Sequence, residues 1–430
     1  RAETAFRLLF LSRGRHPIFL SKLRYDGDWS FRPRDVANLT KYAGHELEVP
    51  LNWQTVGLDR SALEWSDSPV LMISGEKPPT FSDADVAKLG EYIRAGGLLY
   101  TESNRDSAEF THFAEELAHR LFPNRALSPI PPTHPLYNSV FNLSPDATLP
   151  LEGVSNGSRL LMIHSPGDIS RKWHPRYEKT DSNALQMGIN IAIYGTGRRD
   201  LRNRIASLNV TVPPTPPLAT VPIARVQYGG NWDPEPGAWE RMAKLMQLNT
   251  GFHCDVRPIP ARLLDARVTP IADLTGTDAV TFSSDELTAM NRFVTDGGLL
   301  LIDACGGSPA FARSIHDQFI DKIGELPEVV DDRSPLFDRS IDGMRDLSHP
   351  RLRNFAETHD LSATGQLLHV HRDLGDVIFT PLDLTSGLLG TNTWGITGFE
   401  PDYAQAVVNN VIILGVRESG RIEGEAATTP

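Results

Sequence analysis

Residues 297–305 read GGLLLIDAC, and Gly306 and Gly307 follow Cys305 directly. A strand, a nucleophile on a sharp turn with small neighbours, and then a helix form the elbow that presents a thiol for acyl transfer. Such chemistry also needs a base within hydrogen-bond reach, usually a histidine. His369 and His371 of LLHVHRD lie near the late strand that would supply it, but they alternate on an expected strand one element too early for that role. Asp303 occupies the position two before Cys305, where an elbow takes a small residue. A cysteine hydrolase using Cys305 and His371 is therefore the alternative reading, and a buried, inert thiol is the leading one.

A second group of residues could bind rather than react. Tyr25, Asp28 and Trp29 lie in RYDGDW, Glu76 follows a strand-ending glycine, Glu102, Ser103 and Asn104 close GGLLYTESN, and His164 and Asp168 lie in IHSPGDIS. Carboxylates beside a tryptophan suit a sugar, a peptide or a cationic ligand, the indole supplying a stacking face. The pair His369 and His371 lacks a third ligand, so no metal is expected. No GxGxxG or P-loop follows the first expected strand, so no nucleotide or other cofactor is expected either.

The elements that position these residues occur twice. LRYDGDW (23–29) matches VQYGGNW (226–232), and the segment 71–100 matches 271–301 around the same Gly-Gly-apolar run. HPLYNS (134–139) matches SPLFDR (334–339), IHSPGDIS (163–170) matches IFTPLDLT (378–385), and ALQMGINIAIYG (184–195) matches AQAVVNNVIILG (404–415). The matches keep one order while the offset drifts from 203 (Tyr25 to Tyr228) to 220 (Asn190 to Asn410). The chain is two copies of one domain, residues 1–208 and 222–430, joined by the Pro-rich segment 209–221, which is expected to be an extended spacer. Residues 17–197 and 222–417 are expected to share one strand order.

Each copy alternates short apolar runs with amphipathic ones, the pattern of a doubly wound α/β fold with ligands beyond the carboxyl ends of the strands. In the first copy FLSKLRY, ELEVPLN and SPVLMISG are expected strands, and PRDVANLTKYAG a helix closed by Gly44. FSDADVAKLGEYIRAGG and FSSDELTAMNRFVTDGG are expected helices, each with a serine N-cap and a terminal glycine pair. The repeat also sorts the site candidates. The elbow slot holds Asn104 in one copy and Cys305 in the other, and the late-strand slot holds His164 and then Phe379, so neither copy has both partners of a thiol–imidazole pair.

The layout resembles the class I glutamine amidotransferase-like superfamily, a flavodoxin-like fold with a cysteine elbow and a late-strand histidine. RYDGDW, the Gly-Gly-apolar strand, HPLY and the Asp-(Ile/Leu)-(Ser/Thr) turn more closely resemble an uncharacterised bacterial domain family. It is common in planctomycetes and often sits beside membrane-anchored or terpenoid-cyclase-like regions. That resemblance covers about 17–197 and, more loosely, 222–417, and it implies no activity.

Bulk composition narrows the partners. Of 430 residues, 42 are basic and 54 acidic, a net charge of −12 that disfavours nucleic acid. The basic clusters, Arg198, Arg199, Arg202 and Arg204 and several arginines near the N-terminus, read as solvated faces. No run approaches the ~18 apolar residues of a membrane span, and RLLFL (7–11) is too brief for a signal-peptide core. Two cysteines make no disulfide framework. The chain begins at Arg1, so a signal or anchor upstream is compatible with it. The compartment stays open between envelope, periplasm and cytoplasm of a bacterium. The expected role is a non-catalytic binding or assembly module with a protein partner or a second copy of itself.

Overall fold

The computed structural model describes residues 3–4, 14–144, 150–175, 182–198, 201–202, 209–363 and 366–418. RLLFL, Arg199 and Arg204 lie outside them. The chain forms two compact units, Arg1–Asn209 with Thr391–Gly395, and Val210–Gly390 with Ile396–Pro430.

The first unit contains a seven-stranded sheet. Its strands are β1 (Ile18–Arg24), β2 (Asn52–Gly57), β3 (Val70–Gly75), β4 (Leu98–Ser103), β5 (Ser128–Pro129), β6 (Glu152–Ser155) and β7 (Leu160–Ser165). Their order across the sheet is β2-β1-β3-β4-β7-β6-β5. The five strands from β2 to β7 run parallel, whereas β6 and β5 are antiparallel additions at one edge. The second unit repeats the design with β8 (Ala219–Gln227), β9 (Phe252–Pro260), β10 (Ile271–Gly276), β11 (Leu299–Ala304), β12 (Glu328–Val329), β13 (Leu368–Arg372) and β14 (Gly375–Thr380). Its order, β9-β8-β10-β11-β14-β13-β12, is that of the first sheet. Both are mixed, doubly wound α/β sheets in tandem. The parallel part has the 2-1-3-4-5 order in which ligands sit where the crossovers change side.

Helices cover both faces. In the first unit they are α1 (Asp35–Glu46), α2 (Asp83–Arg94), α3 (Ala108–Leu121), α4 (Ser170–Trp173) and α5 (Ser182–Thr196). In the second they are α6 (Pro236–Thr250), α7 (Ser284–Thr295), α8 (Pro309–Gln318), α9 (Thr385–Leu388) and α10 (Pro401–Glu418). β3, β4 and β7 are buried along their whole length, as strands covered on both faces must be, and so are β10, β11 and β14.

Local chemistry explains the starts and stops. Ser82 and Asp85 form a capping box at the start of α2, and Ser283 and Glu286 form the same box at α7. Each contributes about 1 kcal/mol. Both helices end before a left-handed glycine, Gly96 at φ 99° and Gly297 at φ 95°. The next residues, Gly97 and Gly298, leave room for a ring: an added Cβ would lie 2.4 Å from Tyr92 or Phe293.

Two expectations are corrected. ELEVPLN is not a strand, because α1 runs through Gly44 to Glu46 and the left-handed residue beyond it is Glu48, at φ 55°. The second strand is β2, which starts at Asn52. β8 begins at Ala219, where it pairs with Phe252, so the end of the Pro-rich segment is strand rather than spacer. The outermost edge strands β5 and β12 were not legible, since they span two residues each.

Candidate functional site

The carboxyl ends of β1, β3, β4 and β7 lie on one edge because these strands are parallel. Glu102 is buried at 0% exposure. Its Oε2 accepts a bond from Tyr100 Oη at 2.5 Å, and its Oε1 accepts from the Ser170 N–H at 3.0 Å. Burial, reinforced by the Asp168 charge, lifts its carboxyl to about 7 against the pull of those hydrogen bonds. Asp303 occupies the same place in the second unit and accepts from Leu384 N, Thr385 N and Thr385 Oγ1 at 2.8–2.9 Å. Burial, then Asp273 and Asp383, raise it to about 7 as well. Both carboxylates are enclosed and hold the first turn of a following short helix, α4 or α9.

Asp168 and Asp383 form the second shared feature. Asp168 accepts from Arg105 N at 2.8 Å, Arg171 N at 3.0 Å and Arg32 Nε at 3.0 Å, and it pairs closely with Arg32 Nη2. Asp383 accepts from Gly306 N at 2.9 Å and Ser386 N at 3.0 Å, with Arg353 Nη2 at 3.5 Å. Each carboxylate therefore ties the turn after the fourth strand to the short helix after the late strand.

The turn itself is where the copies part. In the second unit it is Gly306 (φ 71°) and Gly307 (φ 73°). In the first it is Arg105 and Asp106, both at φ 54°. A left-handed residue with a side chain costs about 1 kcal/mol, so the first unit holds two strained residues where the second has two glycines. The exposed Arg105 guanidinium lies 4.9 Å from the Phe31 ring centroid and 3.3 Å from Glu76. Asp28 accepts from Glu76 N at 3.2 Å, so the loops after β1 and β3 meet at this corner. Trp29 is half-buried against the core.

The remaining candidates lie elsewhere. Tyr25 is buried, its hydroxyl donating to Ser74 O at 2.9 Å, and Tyr228 makes the same bond to Thr275 O. His164 sits on the opposite face of the sheet from Glu102, because it bonds Thr101 Oγ1 at 2.9 Å and residues 101 and 102 alternate in direction. Burial lowers its imidazole to about 4. Ser103 Oγ is 2.8 Å from Thr111 Oγ1 on α3, next to that histidine. Asn104 is on the Glu102 side, near Ser170 Oγ at 3.4 Å, and its Oδ1 has no hydrogen-bond partner.

Cys305 is 0% exposed, with Sγ 3.5 Å from Ser386 Oγ. Burial first, then Asp383, Asp303 and Glu235, push its thiol well above the ordinary range. The strap Ile396–Phe399 lies over the turn: Thr397 N donates to Gly306 O at 3.1 Å. His369 Nε2 and His371 Nδ1 both meet Asp376 Oδ1, at 2.6 and 2.9 Å, at the start of β14, where Asp376 pairs with Leu299 rather than with the end of β11. His371 is thus engaged by a carboxylate rather than by Cys305. Among the described residues the group with metal-ligand spacing is His316, Asp317 and Asp321, all exposed.

Phe31, Arg32, Arg105 and Asp106 were missed by sequence reasoning. The signal was available: a glycine pair in one copy aligned with Arg-Asp in the other marks a turn that needs positive φ.

The fold and this edge define a protein of two tandem doubly wound α/β domains. A family model described as a domain of unknown function, DUF4159, matches residues 19–196 and again 222–380, and the chain belongs to that family. No curated protein matches. Among solved structures, the exo-beta-1,4-mannosidase Op5Man5 from Opitutaceae bacterium strain TAV5 is similar at 14% identity. That match covers 74% of this chain and 56% of the enzyme's, with a TM-score of 0.24, which supports no transfer of fold or activity. No helix among the described residues is long and apolar enough to cross a membrane.

Proposed function

We propose that the chain is a non-catalytic binding module of the bacterial cell envelope, built from two amidotransferase-like domains, with its ligand edge in the first. The observation that carries this reading is the Arg105–Asp106 turn. Backbone strain of this kind persists where the side chain it presents is used. Here it presents an exposed guanidinium beside Phe31 and Glu76, with Asp28 and Trp29 on the adjoining loop. A cation, carboxylates and two aromatic faces suit the hydroxyls and ring faces of a sugar, or a short cationic peptide. The second domain offers glycines at that turn and lays its own strap over it, which fits a supporting role.

The amidotransferase chemistry of the resembling superfamily needs a thiolate next to an imidazole. Cys305 is enclosed and faces Ser386, and no specific observation favours the hydrolase alternative.

The test is binding of the full chain to an array of oligosaccharides and cationic peptides. Trp29→Ala with Arg105→Ala is compared with Trp232→Ala and Asp278→Ala. The expected result is at least a tenfold loss of affinity with the first pair alone. Loss with the second pair alone would reverse the assignment of the domains, and loss with neither would overturn it.

A further inference from the structure

A groove in the second domain has become polar where the first domain packs hydrocarbon. It runs between α6 and α10 and has a cavity volume of about 220 Å³. Met242, Leu245 and Asn249 line one wall at helical spacing. Asp402, Gln405, Ala406 and Asn409 line the other, and Arg345 completes the lining.

The repeat supplies the control. Asn190 in α5 and Asn410 in α10 are equivalent, and each grips the backbone of a crossing loop. Asn190 Nδ2 donates to Phe141 O at 2.8 Å, and Asn410 Nδ2 donates to Arg345 O at 2.9 Å. Arg345 therefore stands where the first domain has Phe141. By the same alignment Asn409 replaces Ile189 and Gln405 replaces Leu185, both fully buried, while Met242 and Leu245 answer to the buried Leu39 and Tyr42. In the first domain these apolar side chains join α1 to α5: an added Cβ on Gly188 would lie 2.8 Å from Leu39. A seam of packed hydrocarbon in one copy is a lined cavity in the other.

Gln405 Nε2 is engaged, donating to Gly387 O at 3.0 Å, but other polar groups of the groove are not. Arg345 and Asp402 are exposed and share the groove, yet neither forms an ion pair with the other or with any other described residue. Asn409 is 3% exposed; its Nδ2 donates to Gly343 O at 2.9 Å, whereas its Oδ1 has no hydrogen-bond partner. A buried acceptor without a donor is costly to maintain. The groove thus sets a planar cation and a carboxylate beside the apolar Met242, Leu245 and Ala406. The volume lies below the ~300 Å³ at which drug-sized pockets begin, so the occupant is small.

We propose that this groove binds a free amino acid with an aliphatic side chain. Its carboxylate would meet the Arg345 fork, its ammonium Asp402, and its side chain the apolar Met242, Leu245 and Ala406. This site is independent of the first-domain edge.

The experiment is isothermal titration of the full chain with L-leucine, L-isoleucine, L-valine and L-methionine, run alongside 4-methylpentanoate and 3-methylbutylamine, which lack the ammonium and the carboxylate respectively. At least one amino acid is expected to bind and both analogues to bind tenfold more weakly or not at all. Arg345→Gln and Asp402→Asn are each expected to weaken binding at least tenfold while keeping the wild-type urea midpoint, since both side chains are exposed. Absence of binding by all four amino acids, equal binding of either analogue, or undiminished binding by both variants would overturn the proposal.

Discussion

Gly306 donates its N–H to Asp383 Oδ1 at 2.9 Å, the bond that Arg105 makes to Asp168 at 2.8 Å in the first domain. The acceptor and the turn are common to both copies, whereas the cation on the carboxylate is not. Arg32, in the loop before α1, pairs with Asp168, and Arg353, in the segment between β12 and β13, pairs with Asp383. A buried carboxylate needs a compensating charge, and the need fixes the charge rather than its origin in the chain.

Asp168→Ala removes the acceptor for two backbone N–H groups and a guanidinium. Each buried donor left unsatisfied costs about 1 kcal/mol or more, so a loss of about 3 kcal/mol is expected. Asp168→Asn keeps one acceptor oxygen and is expected to lose less. Urea midpoints decide it, and an Ala variant within about 0.5 kcal/mol of wild type would show that the hub is not structural.

Titration of the first domain is expected to have two opposing parts. Glu102 is raised from 4.5 to about 7, so between those values the folded state holds a proton that the unfolded chain has lost. Its contribution is present below about pH 4.5 and is lost as pH rises to 7. His164 and His134 are lowered from 6.5 to about 4, so theirs is present above 6.5 and is lost as pH falls towards 4. Glu102→Gln removes the first part alone. Its melting temperature is expected to rise more steeply with pH from 4.5 to 6.5 than that of wild type, and an unchanged slope would contradict the shifted carboxyl.

Cys305 and Cys254 are both buried, the latter thiol pushed up to about 12. Only the thiolate alkylates, so native protein at pH 7.5 is expected to resist iodoacetamide for hours and to label at both sites in guanidinium. Rapid labelling of one thiol in the native state would revive a nucleophilic role for Cys305.

The tandem repeat and the strand–helix alternation were legible because burial on both faces writes apolar runs such as LLLIDA into the chain, and because glycines mark helix ends. The ELEVPLN error has a local cause: Gly44 was read as a stop, but α1 carries it inside and turns at Glu48 instead. The candidate site was legible only as a list. Sequence places Glu102, Ser103 and His164 at one strand edge, yet the pleat sends Glu102 to one face and His164 to the other. Strain at Arg105 is a backbone property, visible only when the second copy's glycines are laid beside it.

Tyr25 and Gly75 are expected to be coupled. A Cβ at Gly75 would lie 2.3 Å from Tyr25 Oη and 3.1 Å from Lys77 O and Phe110. Gly75→Ala is expected to cost about 2 kcal/mol by overpacking. Tyr25→Phe removes the clashing oxygen, so the double variant is expected to lose less than the sum of the singles, by more than about 0.5 kcal/mol. Simple additivity would mean that the contacts to Lys77 and Phe110, not the hydroxyl, exclude the methyl.

The two glycines of the second-domain turn differ in what surrounds them, and that difference sets up the last expectation. Both have positive φ, so alanine at either pays about 1 kcal/mol for a left-handed backbone. At Gly307 a Cβ would also lie 2.1 Å from Thr397 O and 2.9 Å from its carbonyl carbon, a collision with backbone that no rotamer relieves. Gly307→Ala must therefore lift the strap, which is otherwise held by Thr397 N to Gly306 O and by Phe399 N to Asp383 O. A loss of about 3 kcal/mol is expected at Gly307, against about 1 at Gly306. The strap covers the turn that carries Cys305, so Gly307→Ala is also expected to raise the iodoacetamide labelling rate of Cys305 while leaving that of Cys254 unchanged. Asp106 fills the equivalent slot in the first domain, where its Oδ1 accepts from Asp168 N at 2.9 Å. Asp106→Gly loses that bond but relieves a left-handed backbone of similar cost, so it is expected to be close to neutral. If Gly307→Ala matched Gly306→Ala in both midpoint and labelling, the strap would not be seated on this turn, and the sealing of the second-domain edge would need another cause.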